Sequence, residues 1–465
     1  MLPVEKFSSG SIQNLLLILS LIGILLFVAV ILRLKINFLR RAFIPASLIA
    51  GLIGLALGPY ALGLFPGEIR SSMAALPSTL IVIVFATMLI GEKHTNLKEA
   101  FKQCAPVFFQ GYMYSFAQLG FTCLLTALIF TPVFGTNPLF GTVVEIGFLG
   151  GHGTAGGMSG IFTSLGWPAG SDVGQTTATI GLIAGIFGGL ILINIGVKKK
   201  YTKFLVAADN LNIGQDVYTG DNKKPSSYNT ISRDIVECFA FHMGMIGVAV
   251  WIGYAIVFAV QKTFGFKLPL FPFAMIGGWL LNMVLQRTPF GALIDRPTLM
   301  RIQGLSMDFL IVAAVASVSI PVVVEYMGPL LISCAVCLTV TVWIFWWISP
   351  RIFKDNWFEN GILRYGAATG VAAIGFLLLR TVDPEMKSDA LKLYALNAPF
   401  SSPFVGGGLI TSAYPGLIIM FGALECGVFF IGLFLSLILI CRVSGIWNKA
   451  PKFKQRGNMV PAPAD

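Results

Sequence analysis

Long apolar runs separated by short basic stretches dominate the chain. They fall at about 12–32, 43–64, 76–91, 104–131 and 171–196, and again at about 238–260, 268–286, 303–324, 328–349, 390–417 and 418–441. Runs of this length match the ~20 apolar residues that a helix needs to cross a bilayer. A polar stretch without apolar period, from Lys198 to Glu237, divides them. The pattern predicts five helices, a hydrophilic linker and six helices. The first run is longer than a typical signal-peptide core of about 7–15 residues, so it is expected to remain as a membrane helix.

Two segments break the pattern. Gly150-Gly151-His152-Gly153-Thr154-Ala155-Gly156-Gly157 closes a long apolar stretch and is followed by Trp167-Pro168. Each glycine costs about 1 kcal/mol against alanine inside a helix, and in hydrocarbon an open backbone is tolerated only inside protein or beside water. A re-entrant loop near 139–166 follows. Gly366-Ala367-Ala368-Thr369-Gly370-Val371-Ala372-Ala373-Ile374-Gly375 is the second broken stretch, predicted as a loop near 357–386. The second helix opens at Pro45 and carries Gly51 and Gly54. The seventh opens at Pro269 and Pro272 and carries Gly277 and Gly278. Matched broken segments in halves of opposite orientation mark an inverted-repeat transporter. The expected fold is an all-α polytopic membrane protein of two inverted-topology five-helix repeats, each with a re-entrant loop, plus an extra C-terminal helix. The domains then read as 1–196, a cytoplasmic linker 197–236, 237–417, and a last helix with a basic tail over 418–465.

Composition agrees. Hydrophobic residues make up 56% of the chain and charged residues 11%, against roughly 25% charged in soluble domains. The net charge of +11 matters through its placement, and it does not point to nucleic acid. With the N-terminus outside, the inner loops collect Arg33, Lys35, Arg40 and Arg41; Lys93, Lys98 and Lys102; the linker lysines; Arg287, Arg296 and Arg301; Arg351 and Lys354; and Lys449, Lys452, Lys454 and Arg456. Lys6, Arg70, Lys262 and Lys267 stay outside, as the positive-inside rule requires of a C-terminus in the cytoplasm.

The run Glu145–Phe162, with GGHGTAGGMSGIF at its core, resembles the signature of the bacterial glutamate:sodium symporter family. Ile44-Pro45-Ala46, Phe85-Ala86-Thr87, Ala178-Thr179-Ile180-Gly181, Leu268-Pro269 and Gly366-Ala367 extend the resemblance over roughly 12–418. It implies inverted five-helix domains with loops entering from opposite faces, and sodium-coupled glutamate uptake in the bacterial inner membrane. The second loop departs from the family's GATPTAIAN-like pattern, with Ile374 in place of the Asn and Gly370 in place of a Thr.

The substrate site is expected at Gly150, Gly151, His152, Gly153 and Thr154 with Gly366, Ala367, Ala368, Thr369 and Gly370. Glycine lets backbone approach a ligand, unwound carbonyls suit Na⁺ and amides suit a carboxylate. The competing reading is close helix packing by small residues. His152 is either a donor to substrate or a histidine satisfied locally. Thr176, Thr179 and Asp308 are candidate Na⁺ ligands, against threonines bonded to their own helix and an aspartate in a structural pair. Glu145 is expected near the outer surface, Arg380 pairs locally with Asp383, and Glu425 packs or snorkels. Trp343-Ile344-Phe345-Trp346-Trp347 reads as an interfacial belt. Cys334 and Cys337 form a CxxC without His or acid nearby, and are read as small buried side chains rather than a metal or redox site. His94 and His242 carry no assignment.

The leading function is a secondary symporter of glutamate, or a similar small anionic amino acid or carboxylate, with Na⁺ as coupling ion and no cofactor. Membrane lipid surrounds it, and glycine-rich helices two and seven offer a homodimer interface. Another carboxylate, or proton coupling through His152 or Asp308, is the nearest alternative. An enzyme using His152 and Glu145, or a passive channel, explains the paired broken segments less well.

Overall fold

In the computed structural model the apolar runs become helices because hydrocarbon leaves the backbone no other way to satisfy its polar groups. The structure describes residues 8–37, 39, 44–92, 97–204, 227–232, 234–264, 270–383 and 387–448. Arg40, Arg41, Lys93, His94, most of the linker with Lys223 and Lys224, Lys267, Leu268, Pro269 and the basic tail lie outside them. The described residues are all-helical, 81% helix, with no strand among them. Nine of the described helices are long and apolar enough to cross a membrane, and four shorter apolar helices accompany them.

The helices fall into two compact units that interleave along the chain. Unit 1 takes Met1–Lys93, His152–Gln175 and Gln215–Val323; unit 2 takes His94–Gly151, Thr176–Gly214 and Val324–Asp465.

Unit 1 holds α1 (Ser9–Lys35), α2 (Ala46–Leu57), α3 (Gly67–Thr87) and, further along, two short helices and the start of a longer one. Ser8 caps α1 by accepting from the Ser11 amide at 3.1 Å, and Arg33 and Lys35 sit at its C-terminal end, where the helix dipole favours cations. Leu16, Leu17 and Phe27 of α1 are about two-thirds exposed, the face such a helix turns to lipid.

In the chain order of the remaining elements, unit 2 takes α4 (Leu97–Leu125), which runs on through Thr126–Phe134, and α5 (Val143–Phe148). Unit 1 then takes α6 (Gly151–Gly157) from His152 on, α7 (Ser159–Ser164) and the first turns of α8 (Ala169–Lys198), whose remainder from Thr176 belongs to unit 2. Unit 1 is completed by α9 (Cys238–Phe264), α10 (Leu270–Leu285), α11 (Arg296–Ala316) and most of α12 (Ile320–Glu325).

The core of unit 1 forms where α1, α2, α3 and α11 meet, around Ile22, Leu25, Ile49, Met73, Val312 and Ala316. A Cβ at Gly51 would lie 2.6 Å from Val315 Cβ, and one at Gly54 2.7 Å from Ala316 Cβ, so α2 needs both glycines to reach α11. On α10, Gly277 abuts the Ala249 carbonyl of α9 and Gly278 the Ala86 carbonyl of α3. The glycines that the sequence offered to a subunit interface are therefore consumed by packing inside the unit.

Arg296 closes the C-terminal end of α3. Its guanidinium donates to the carbonyls of Thr87 (2.6 Å), Met88 (2.8 Å) and Ile90 (2.9 Å) and pairs with Glu92 at 2.9 Å. These are carbonyls that a helix end leaves without partners. Asp295 caps α11, accepting from the Thr298 amide at 3.0 Å, and its own amide donates to His242 Nε2 at 2.8 Å. His242 is thus a structural hydrogen-bonding residue.

Unit 2 is built on α4, with α13 (Met327–Trp343, continuing to Ile352), α14 (Trp357–Val382), α15 (Ala390–Ser401), α16 (Leu409–Phe421) and α17 (Ala423–Val443). α17 lies along α4 through facing glycines: a Cβ at Gly427 would meet Leu124 at 2.9 Å and one at Gly120 would meet Ile431 at 2.8 Å.

Several expectations change. The run at 390–417 is two helices, α15 and most of α16, because Pro403 and the positive-φ pair Gly406 and Gly407 interrupt it. α3 starts at Gly67 rather than near 76, since Glu68, Arg70, Ser71 and Ser72 lower its hydropathy without ending the helix. The run at 303–324 divides into α11 and α12. Arg380 and Asp383 do not pair; Asp383 is buried and accepts from the amides of Lys387 (2.9 Å) and Ser388 (2.7 Å). Cys334 and Cys337 are buried and free. In the aromatic run Trp343 is 43% exposed and stacks on Trp347, which lies under Arg351, whereas Phe345 is fully buried.

Candidate functional site

Two breaks in helical backbone meet in unit 2. The first follows α5, where the amides of Leu149 and Gly150 both reach the Glu145 carbonyl and Gly151 turns the chain at φ +70°. Such a φ suits glycine, which has no Cβ to clash. The second lies inside α14, where Gly370 (φ −136°, ψ 37°) and Val371 (φ 60°, ψ 175°) leave helical geometry. A β-branched residue at positive φ is a conformational outlier of the kind that clusters at functional sites.

The chain doubles back at this second break. A Cβ on Gly366 would lie 2.7 Å from Gly375 Cα, and one on Gly375 would lie 3.1 Å from the Ala367 nitrogen. Nine residues of unbroken helix span about 13 Å, so α14 is a helical hairpin with Gly366 and Gly375 at the crossing. The two breaks touch: a Cβ on Gly151 would sit 2.5 Å from Val371 Cγ1.

The hairpin tip is held from two sides. On α8, Gly181 abuts the Thr369 carbonyl, and a Cβ on Gly185 would come within 2.7 Å of Thr369 Oγ1. From α4, Gln118 Nε2 donates to the Ala368 carbonyl at 2.8 Å. Thr369 Oγ1 donates to the Tyr365 carbonyl at 2.9 Å, bonding back to its own helix. Unit 2 therefore gathers Gly150, Gly151, Gly366, Ala367, Ala368, Thr369 and Gly370. Thr176 and Thr179 are half-buried on the portion of α8 that belongs to the same unit. Between them Thr177 is buried and donates to the Val143 carbonyl at 2.9 Å.

The rest of the first glycine run lies in unit 1. His152 is 6% exposed, and its carbonyl accepts from Gln175 Nε2 at 3.0 Å. Thr154 is buried. Gly153 approaches Met307 of α11, where a Cβ would be 3.1 Å from Sδ, and Gly156 approaches Pro77 of α3 at 2.7 Å. At these two positions glycine permits close packing. Asp308, on α11, is exposed.

Sequence reasoning missed three participants. Glu145 is fully buried rather than near a surface; its Oε1 accepts from Ser115 Oγ (2.8 Å) and Thr411 Oγ1 (3.1 Å), and no basic side chain among the described residues pairs with it. Gln118 stood in an apolar run, and the signal for it was a helix face carrying Gln110, Ser115, Gln118 and Thr122, all buried. Val371 had no signal, because its importance lies in its φ.

A multi-pass helical membrane protein whose helices break at two glycine-containing turns is the class these features define. The family model for the sodium/glutamate symporter matches residues 12–357 of the 465, and the chain belongs to that family, a family of transporters. The match ends short of the second turn at Gly370. No curated protein matches the chain.

Proposed function

We propose that the protein is a secondary active transporter that carries glutamate, or a similar small anionic amino acid or carboxylate, together with Na⁺ by alternating access. The observation that carries this reading is the contact between Gly151 and Val371, turns 220 residues apart in sequence, in a unit otherwise built of apolar helices. Interrupted helices that meet are where transporters place substrate and coupling ion. The two segments are read as re-entrant loops of inverted repeats, in the bacterial inner membrane with the N-terminus outside and the C-terminus in the cytoplasm, as the Lys and Arg distribution supports.

Coupling to Na⁺ follows from charge. Glutamate of charge −1 enters a negative-inside cell against about 2.3 kcal/mol per 100 mV. One Na⁺ cancels that term and two reverse it. Backbone carbonyls at the turns and the hydroxyls of Thr176 and Thr179 are the hard oxygen donors that such a cation prefers. The test is uptake of labelled glutamate into proteoliposomes with an inward Na⁺ gradient, compared with choline in place of Na⁺. Accumulation that requires Na⁺ is expected. Equal uptake in both refutes sodium coupling.

A second reading has one observation behind it. Glu145 is a fully buried carboxylate among hydroxyls, with no basic partner among the described residues, a group that carries a proton as readily as it binds a cation. Uptake driven by an inward proton gradient in choline, and lost in Glu145→Gln, would favour it.

A further inference from the structure

Two arginines at one end of unit 2 share a single indole ring. The Arg442 guanidinium, on the last turn of α17, lies 5.0 Å from the Trp447 ring centroid, and that of Arg351, at the end of α13, lies 6.0 Å from the same centroid. Arg351 also lies 4.8 Å over Trp347, whose ring packs against Trp447 at 5.3 Å. All four residues belong to unit 2. We propose that this cluster binds the headgroup of an anionic phospholipid, its phosphate oxygens on the two guanidiniums and its acyl chains along the exposed face of α17. The proposal is independent of which solute the protein carries.

The sequence builds the ring into place. α17 ends at Val443, and Gly445 turns the chain at φ +76°, a conformation that glycine commonly takes just past a helix C-terminus. The Trp447 amide then donates to the Cys441 carbonyl at 2.9 Å, and the Asn448 amide to the Arg351 carbonyl at 2.6 Å. The second of these bonds ties the end of α17 to the end of α13. Arg351 Nη1 in turn donates to the Trp347 carbonyl at 2.6 Å. Arginine and tryptophan at a helix end commonly do no more than anchor it in the interface. An anchor, however, needs neither a ring pinned by its own backbone nor two cations upon it.

The charges are unbalanced. A guanidinium carries five N–H donors, and of the two here only Arg351 commits one to a described acceptor. Neither arginine forms an ion pair among the described residues. Like charges close together repel, and more strongly where the surroundings are less polar than water. An anion between them relieves that cost, and a phosphodiester meets guanidiniums with charge-assisted, often bidentate hydrogen bonds. A zwitterionic headgroup would bring an ammonium to the same place, where two cations oppose it. The cluster therefore selects net-negative lipids.

The apolar part fits a lipid rather than a free anion. Leu435, Leu439 and Arg442 stand at i, i+4 and i+7, on one face of a helix, and the two leucines are 57% and 60% exposed. Val443 beside them is 80% exposed. Acyl chains lying on that face place the phosphate at the arginines, within one helical turn of Leu439.

The test is native mass spectrometry of the full-length protein in neutral detergent, titrated with phosphatidylglycerol, with phosphatidylethanolamine of the same acyl chains, and with inorganic phosphate. Wild type should bind its first phosphatidylglycerol about fivefold tighter than phosphatidylethanolamine, or more, as the attraction of one basic residue for anionic lipid implies. Arg351→Gln and Arg442→Gln should each remove most of that preference. Trp447→Leu keeps both charges but removes the ring that holds them, and should remove it too. Lys452→Gln takes one cation from the basic tail and should leave the preference unchanged. If thermal unfolding shows that Arg351→Gln or Trp447→Leu disturbs the fold, Arg442→Gln decides alone, since Arg442 is exposed and its replacement leaves the backbone ties of Trp447 in place.

Equal affinity of the wild type for the two lipids, or an undiminished preference in Arg442→Gln, overturns the assignment. A loss as large in Lys452→Gln as in Arg442→Gln means diffuse attraction by the tail, and also overturns it. Displacement of phosphatidylglycerol by an equal concentration of inorganic phosphate makes the cluster a free-anion site and removes the lipid.

Discussion

Replacing Gly151 with alanine puts two separate costs on the contact between the broken helices. Gly151 sits at φ +70°, where an L-residue with a Cβ pays about 1–2 kcal/mol. The new Cβ would also stand 2.5 Å from Val371 Cγ1, and relieving such an overlap in packed surroundings costs about 1–3 kcal/mol. The sum, about 2–5 kcal/mol, lowers the population of the native pairing of the two turns by about 30-fold to about 3,000-fold at ~1.4 kcal/mol per tenfold. The first turn follows α5 and the second divides α14, both helices anchored elsewhere in unit 2, so the loss is local. The assay is initial-rate Na⁺-driven glutamate uptake in proteoliposomes, with thermal unfolding of the purified protein alongside. Uptake should collapse while the unfolding midpoint moves by a few degrees. Val371→Ala in the same protein removes Cγ1, cancelling the overlap but not the backbone cost. The double variant should recover about fivefold or more over Gly151→Ala alone, but not wild-type rates. Wild-type uptake by Gly151→Ala, or no recovery from Val371→Ala, would refute the argument that the turns work by touching.

Arg296→Met should lower stability by about 3 kcal/mol or more, since hydrogen bonds from a charged donor contribute about 1.5–3 kcal/mol each and three carbonyls at the end of α3 lose theirs; a thermal melt reads the effect, and Arg296→Lys should fall between. Gly51→Leu should separate α2 from α11 and destabilise unit 1 by about 1–3 kcal/mol through overpacking, visible as a lowered unfolding midpoint, whereas Gly160→Leu, where a Cβ meets nothing within 4 Å, should leave that midpoint unchanged. Cys334→Ala with Cys337→Ala should keep wild-type uptake and lose about 1–2 kcal/mol of stability from removed packing; a larger loss of uptake than of stability would restore a metal or redox role to that pair.

Hydropathy located the helices where the apolar runs were pure, as in α1, α9 and α17. It failed where polar residues dilute a helix. Glu68, Arg70, Ser71 and Ser72 hid the first turns of α3, although all four belong to its helix. It also failed where a run stayed apolar through a break: residues 390–417 read as one segment, though Pro403 and Gly406–Gly408 carried the signal that would have divided it. The glycine clusters marked both turns correctly as places where backbone leaves regular helix. They did not reveal that Gly153 and Gly156 serve packing while Gly151 serves a turn, because the difference lies in the neighbours, Met307 and Pro77 for the former and Val371 for the latter.

By itself the sequence determined that this is a multi-pass all-helical membrane protein, where its two interrupted segments lie, and which transporter family it belongs to. Those follow from local quantities: the free energy of each apolar run in hydrocarbon, the backbone freedom of glycine, and motif identity over a short window. Only the tertiary structure decided that Gly151 meets Val371, that α14 folds into a hairpin on Gly366 and Gly375, that Glu145 is buried among hydroxyls, and that Arg351 and Arg442 share one indole ring. Each of those joins residues far apart along the chain, and no local energy specifies such a pairing; it is set by how glycine-lined helix faces let backbones approach.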